Sequence, residues 1–345
     1  MQLYLIDPLA DSRWDDLVSQ HPSASAFHRR GWLQALAETY GYEPWVLTSA
    51  PAGQPLNDGI LFCRVSSWIT GTRLVSLPFT DHCEPLLQPA SDVRDFIAWL
   101  TEERDRARWK YFELRPLSLQ PSLDGPSGGR SFVFHKLDLR MPTEQLFRNL
   151  HKDSIQRKIR RAEREKLSYE VGRSQQLLDE FYRLVLITRK RLQVLPQPRK
   201  WFSNLRKHMA ENLEIRIARK NGVAIAGLLS LRHHSSVIYK YGGSDKRFHN
   251  LGGMPFLFWK LIEESRHSGI EQVDLGRTDL DNQGLITFKN RLGAARSQLT
   301  YHRYPGHEAP GPVVHWDWRA AKYVVSHLPD SLSYAAGRML YRHMG

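Results

Sequence analysis

The sequence predicts a mixed α/β (α+β) protein of two tandem domains, each a mixed, largely antiparallel sheet flanked by helices. Its 345 residues and 40.0 kDa exceed one ordinary hydrophobic core and suit two. The stretch LEIRIARKNGVAIAGLLSLRHHSSVIYKYGGSD has the pattern of an antiparallel meander, with a Lys-Asn-Gly turn as its first hairpin signal. Each half also repeats one order of elements. Phe96, Trp99 and Leu100 precede WKYFELRPL, and Phe258, Trp259 and Leu261 precede IEQVDLGRT, so an apolar helix leads into a buried strand ending in acid-Leu. The spacing is 14 residues from Trp99 to Glu113 and 15 from Trp259 to Asp274, which favours two copies of one unit. The expected boundaries are 1–135, 136–305 and a helical tail, 306–345, packing back on the first domain.

In the first half, GWLQALAETY predicts a helix from Gly31 to Tyr40, with Trp32, Leu33, Leu36 and Tyr40 on one face and Gly41 as the stop. Strands are expected at Trp45 to Thr48, in ILFCRVSSW after the loop APAGQPLNDG, and at Leu74 to Phe79. A helix over Asp92 to Arg108 then feeds the short strand Tyr111 to Leu114. QPSLDGPSGGR, Gln120 to Arg130, reads as a long loop at the domain junction.

The second half opens with an expected long helix, Thr143 to Lys166, its apolar stripe formed by Ile155, Ile159 and Ala162. Another helix spans Leu177 to Leu192. Strands at Leu213 to Arg219, Ala224 to Arg232 and Ser236 to Gly242 build the meander. A helix from Pro255 to about His267 ends at Gly269, and Val273 to Leu275 is the next strand. Beyond it, Asn282 to Gly284 predicts a turn and Leu285 to Leu292 a short helix.

Composition narrows the class. A content of 41% hydrophobic and 25% charged residues suits a soluble chain, and no apolar run approaches the ~18 residues that span a bilayer. The start, MQLYLIDPLADSRWDD, lacks the basic and apolar regions of a secretory signal, so the cytoplasm is expected. Cys63 and Cys83 are too few for a disulfide framework or a cysteine-rich zinc site. DHCEP, Asp81 to Pro85, has no distant His-x-x-x-His partner, so no metal is expected there. Of the net charge of +13, the segment Arg148 to His208 carries +11, from 17 Lys or Arg against 6 Asp or Glu. Such a field attracts phosphorylated partners, although a solvated helix face would show the same pattern.

The span SDKRFHNLGGMPFLFWKLIEESRHSGIEQVDL places Arg247 and then Gly252-Gly253 at the opening of a helix. Glycines there let backbone N–H groups and the helix dipole face an anion. It resembles the pyrophosphate loop of the GNAT N-acyltransferases, which implies donor binding by Arg247, Gly252 and Gly253, although the glycines are adjacent here and Arg247 lies further upstream. Taken together, FHRRGWLQALAETYGYE, LPFTDHCEPLL, LHKDSIQRKIRRAERE, YKYGGSD, DLGRTD, GLITFKNRLGA, LTYHRY and GRMLYRHMG resemble the FemAB and CelD/BioF-type acyltransferases from Phe27 onward.

That resemblance implies two tandem GNAT-like domains with an acceptor cleft between them, joining an acyl or aminoacyl group to an amine. It places the Phe288-Lys289 pair at the reaction centre, where a fixed cation would stabilise the oxyanion of the tetrahedral intermediate. Asp274, at a strand end, could take the amine's proton or hold the ammonium. Tyr239 and Tyr241 should share one strand face, with Tyr241 lining the cleft. Arg277 is a second cation at the strand end, with an ion pair to Asp279 as the plainer reading. Arg157, Arg160 and Arg161 match the family's Arg-rich element and suit phosphate oxygens. LITRKRLQVLPQP makes Arg191 a cleft contact, and Asp81 and His82 belong to an acceptor loop.

The implied donors are acyl-CoA or aminoacyl-tRNA as co-substrate, with no permanently bound cofactor. The implied acceptor is an amine of a cell-envelope precursor or amino sugar, related to peptidoglycan or exopolysaccharide. Fem enzymes acting on a nucleotide-linked peptidoglycan precursor often carry a first-helix Lys where this chain has Leu36-Ala37-Glu38, so its absence weakens that acceptor, and the absence of an inserted helical hairpin in the second domain argues against the staphylococcal type of tRNA arm. In the tail, Trp316, Trp318, Tyr323, Tyr334 and Tyr341 with Arg319, Lys322, Arg338 and Arg342 could make peripheral contact with the inner membrane face or dock on the first domain. The contrasting class is a non-catalytic protein holding RNA or an anionic envelope polymer on its basic helix.

Overall fold

The structure is a computed structural model that describes residues 2–88, 93–118, 128–306 and 340–343. Among these, 2–118, 128–132, 299–306 and 340–343 form one compact unit and 133–298 a second.

The first unit contains β1 (Tyr4–Ile6), α1 (Arg13–Gln20), α2 (Arg30–Tyr40), β2 (Glu43–Thr48), β3 (Ile60–Val65), β4 (Arg73–Val75), α3 (Val93–Ala107) and β5 (Phe112–Leu114). Gly41 ends α2 as expected, in the left-handed conformation at φ 72° that glycine adopts without strain. The strand expected over Leu74 to Phe79 stops at Val75 instead, because Leu77 and Phe79 take positive φ, 57° and 62°, and leave the ladder. Successive antiparallel pairs join β1 through β4, and β4 and β5 are parallel. Phe62, Leu74, Phe96, Leu100 and Phe112 are fully buried in its core.

The chain then enters β6 (Gly128–Asp138), so Gly128 to Arg130, expected in a loop, belong to a strand; the rest of that loop, 120–127, lies outside the described residues. The second unit continues with α4 (Thr143–Asn149), α5 (Arg157–Arg164), β7 (Ser168–Gly172), α6 (Gln175–Arg191), α7 (Arg199–Met209), β8 (Leu213–Lys220), β9 (Val223–His233) and β10 (Ser236–Ser244). After these come α8 (Gly253–His267), β11 (Gln272–Thr278) and α9 (Gln283–Arg291). The last strand, β12 (Ala295–Tyr304), leads back into the first unit.

The single helix expected from Thr143 to Lys166 is broken. Leu150 is extended (φ −65°, ψ 139°), the His151 N–H donates to the Arg291 carbonyl at the end of α9, and a wide π-type turn covers Lys152–Gln156 before α5 begins. Periodicity could not reveal this, because Ile155 and Ile159 remain buried on the same stripe after the break.

The strands of the two units follow one plan. The first unit orders its strands β1-β2-β3-β4-β5-β12 and the second β7-β8-β9-β10-β11-β6, and in each the fourth and fifth strands are parallel while the others are antiparallel. The sixth strand comes from the other half of the sequence in both cases. The acids of the internal echo fall at matching places: Glu113 opposite Val75 and Asp274 opposite Ile238, each the last pair of its parallel ladder.

Of the tail, only Leu340 to His343 are described. There the Tyr42 hydroxyl donates to the Tyr341 carbonyl at 2.8 Å and Arg73 Nη2 to the His343 carbonyl at 2.9 Å, both within the first unit. The docking or membrane role expected of 307–339 falls outside the described residues. No described helix is long and apolar enough to cross a membrane.

Candidate active site

The site begins where a ladder ends. β10 and β11 pair in parallel only over Ser236–Ile238 against Gln272–Asp274. Beyond these pairs β10 stays with β9 as far as Ser244, and β11 stays with β6 as far as Thr278. Each strand carries a bulge at this point: Lys240 is the extra residue between Tyr239 and Tyr241, and Leu275 the extra residue between Asp274 and Gly276. Bulges sharpen the local twist and re-aim side chains. A cavity of about 490 Å³ lies here, walled by Tyr239, Gly242 and Ser244 of β10, Leu275 of β11, and Phe288 and Lys289 of α9.

Gly243 of β10 lets α6 approach the strand, and Gly242 leaves room for the Tyr239 side chain of the same strand. A Cβ on Gly243 would lie 2.6 Å from the Leu184 carbonyl carbon of α6, and one on Gly242 would lie 2.4 Å from the Tyr239 hydroxyl. At the other wall, Gly253 and Met254 open α8, which no side chain caps. The mouth is basic: Lys158 of α5, Arg191 of α6 and His249 of the turn Lys246–Leu251 all line it. Arg191 Nη1 lies 3.0 Å from His249 Nε2, as does the Ser244 hydroxyl. Burial, then the charges of Arg191 and Lys158, hold the His249 pKa below the ordinary histidine value.

Lys289 and Phe288 lie on α9, the short helix the sequence predicted, and line this cavity, with Lys289 buried at 3% exposure. Its Nζ donates to the Gly276 carbonyl at 2.9 Å and the Arg277 carbonyl at 3.1 Å. Phe288 packs edge-on against Phe258, with ring centroids 5.4 Å apart. Asn282 supplies the helix N-cap, its side chain accepting from the Leu285 N–H. Arg191 also lines the cavity.

Several expectations need correction. Tyr239 and Tyr241 do not share a face, because the bulge at Lys240 breaks the alternation: Tyr239 packs on Phe258 of α8 while Tyr241 packs on Phe202 of α7. Tyr239 lines the cavity; the buried Tyr241 hydroxyl accepts from Gln197 Nε2 at 3.1 Å and Trp201 Nε1 at 2.9 Å. Arg247, expected on phosphate, is tied to Asp245 at 2.6 Å, away from the cavity lining. Gly252 is needed for packing, since it has φ 79° and a Cβ there would lie 2.3 Å from the Lys158 carbonyl oxygen. Gly253 does line the cavity. Arg157, Arg160 and Arg161 do not converge on it: Arg160 lies 5.8 Å over the Phe147 ring and Arg161 pairs with Glu165 at 3.0 Å.

Asp274 and Arg277 flank the cavity without lining it. The Asp274 carboxylate accepts from the Gly276 N–H at 2.6 Å, and the Arg277 carbonyl serves Lys289. Asp81 and His82 stay within the first unit, where the Asp81 carbonyl accepts from the Tyr301 hydroxyl at 2.7 Å and the His82 ring packs edge-on to Phe27. Sequence reasoning passed over Lys158, Ser244 and His249; the position of His249 between a strand end and a glycine-opened helix was the one signal that could have marked it.

At the matching position of the first unit the arrangement differs. The buried Glu113 carboxylate is clamped between Arg115 at 2.8 Å and Arg303 at 2.7 Å. Burial works to raise its pKa, but the two guanidinium groups hold it below the usual carboxylate value.

Residues 149–289 match the family model described as an acetyltransferase (GNAT) domain, a range that takes in β10, β11 and all but Arg291 of the cavity lining. In fold this chain is a FemAB-like GNAT protein. FemX superimposes with a TM-score of 0.66 at 13% identity, covering 87% of this chain and 97% of FemX. L-PGS from Bacillus licheniformis gives 0.55 at 12% identity, covering 91% and 95%. A tandem GNAT protein from the clavulanic acid biosynthesis pathway gives 0.53 at 13% identity, covering 89% of this chain and 100% of that protein. No curated protein matches the chain in sequence. At these identities the likeness establishes the FemAB-like GNAT fold and leaves its chemistry to be argued from the site.

Proposed function

We propose that this chain transfers an acyl or aminoacyl group from a thioester or ester donor to an amine, with the donor seated in the second unit's cavity. The observation that carries this reading is the parallel β10–β11 pair that opens after three residue pairs onto a cavity of about 490 Å³. Strand edges that part in this way offer backbone N–H and C=O groups to an extended, amide-containing arm. The uncapped start of α8 and the basic mouth suit the donor's phosphates.

Transfer needs no protein nucleophile. The acceptor amine attacks the bound carbonyl, the tetrahedral intermediate carries an oxyanion, and collapse expels the thiol or ribose hydroxyl. Lys289 is the group held in place for that charge, since its anchoring on two carbonyls costs no reorganisation during the reaction. Phe288 shapes the wall beside it. Asp274 acts as a positioning residue by holding the N–H of Gly276, the residue on whose carbonyl Lys289 rests. Arg191 contacts the donor or acceptor phosphate.

The FemAB-like fold supports an acceptor amine on a cell-envelope precursor or amino sugar, met at the cytoplasmic face of the membrane. The tandem GNAT protein of the clavulanic acid pathway places the same fold in small-molecule biosynthesis, so amino sugars and envelope precursors should be tested beside simpler amines. Acetyl-CoA, longer acyl-CoAs and aminoacyl-tRNA would be offered with this amine panel, and products followed by mass spectrometry. Thr287→Trp narrows the cavity from an exposed lining position and should abolish transfer while leaving the fold intact. Salt-sensitive RNA binding with no transfer from any donor would instead support the non-catalytic reading.

A further inference from the structure

Two observations at the cavity mouth point the same way. The first is an excess of fixed positive charge: Arg191, Lys158 and Lys246 surround His249, while the nearby Asp245 is already bound by Arg247. The second is the direction of one hydrogen bond. A guanidinium only donates, so at 3.0 Å the Arg191 Nη1–H donates to His249 Nε2, and the ring must be a neutral acceptor at that nitrogen. An arrangement that holds a histidine neutral by turning a cation onto it changes once that cation is engaged elsewhere.

Resting on the donor-site reading above, we propose that His249 couples binding of the donor's phosphate to uptake of a proton. Before a phosphate binds, Arg191 donates to the ring. When a phosphate ester enters, its oxygens take the Arg191 N–H groups, Nε2 accepts a proton from solvent, and the imidazolium donates to the phosphate. No covalent bond changes; one proton moves from solvent to Nε2. His249 is thus a positioning residue for the donor's phosphate.

The groups facing the ring permit this assignment. α6 contributes the guanidinium of Arg191 and α5 the amino group of Lys158. Its own turn contributes Lys246 and Asp245, the latter held below the carboxylate range by its hydrogen bonds to Arg247. β10 contributes the Ser244 hydroxyl, and the start of α8 brings only Gly253, Met254 and Pro255 to the wall. A bound phosphate anion offsets the repulsion that keeps the ring neutral. Affinity is therefore highest below the free-state pKa of the ring and falls as pH rises through the raised, bound-state pKa.

The test is titration calorimetry of the full-length protein with coenzyme A and, separately, a short tRNA acceptor-stem duplex ending in CCA, each in buffers of different ionisation enthalpy. One of the two should bind with uptake of a sizeable fraction of a proton at pH 7, and its Kd should rise roughly fivefold to tenfold from pH 6 to pH 8. His249→Gln keeps an acceptor for Arg191 but cannot carry the proton. It should lose the uptake and most of the pH dependence, leaving only what the phosphate itself titrates. Binding with equal proton uptake in wild type and His249→Gln overturns the proposal but leaves the donor site standing. Binding of neither probe overturns both. A thermal unfolding profile of His249→Gln matching wild type excludes misfolding as the cause of any loss.

Discussion

The Lys289 amino group rests on the Gly276 carbonyl at 2.9 Å, and the Gly276 N–H in turn donates to the Asp274 carboxylate at 2.6 Å. One residue, Gly276 at the bulge of β11, thereby links the buried acid to the buried amine through its N–H and its carbonyl. The opening of the β10–β11 ladder and the placing of Lys289 are parts of one arrangement: the bulge frees the carbonyls on which the lysine is seated.

Lys289→Met keeps the apolar stem but leaves those carbonyls without this donor. An unsatisfied buried acceptor costs about 1–3 kcal/mol, so urea denaturation should show a loss of that size. Acyl transfer should fall far more than the stability loss predicts. Full turnover in the folded variant would remove Lys289 from the mechanism.

The two tyrosines of β10 should separate cleanly. Tyr241→Phe removes the acceptor for Gln197 and Trp201 and should lower stability by about 1–3 kcal/mol, with little effect on donor Kd. Tyr239→Ala should do the reverse in emphasis, weakening donor binding several-fold because its ring forms the cavity wall. Equal donor affinities for the two variants would contradict the assignment of faces.

Gly252→Ala places a Cβ both at φ 79° and 2.3 Å from the Lys158 carbonyl oxygen, which belongs to backbone and has little room to yield. A loss of more than about 1 kcal/mol is expected from thermal unfolding. Gly269→Ala, at φ 75° but with open space around it, should cost less.

His28 gives the first unit an acid sensitivity. Its buried Nε2–H donates to the Glu84 carbonyl at 2.9 Å, and burial depresses the pKa to about 4. The folded pKa is below the unfolded value of 6.5, so the stabilisation is complete above pH 6.5 and is lost as pH falls toward about 4. The loss should reach at most about 3 kcal/mol. His28→Gln should flatten this part of the stability profile, as followed by denaturant midpoints from pH 7 to pH 4.

Much of the fold was legible because its signals are local. Gly41, the Asn282 cap and the Lys-Asn-Gly turn each act within a few residues of themselves, and the repeated helix, strand and acid correspond to the parallel pair in each unit. The Phe288-Lys289 corner was legible for the same reason, as one short helix after one strand. The break at Leu150 was not, since it is fixed by a hydrogen bond from His151 to Arg291, far along the chain.

The sequence by itself determined a two-unit α/β chain, the placement of basic charge in its second half, and the short helix that carries Lys289. Only the tertiary structure decided which of those charges share a site. A bulge of one residue moves every later side chain to the other face of a strand, so Tyr239 rather than Tyr241 reached the cavity. Long-range packing turned Lys158, Arg191 and His249 toward one mouth while Arg247 and Arg161 closed on acids beside them. Periodicity records which face of an element is apolar; it holds no record of which elements part to leave a space.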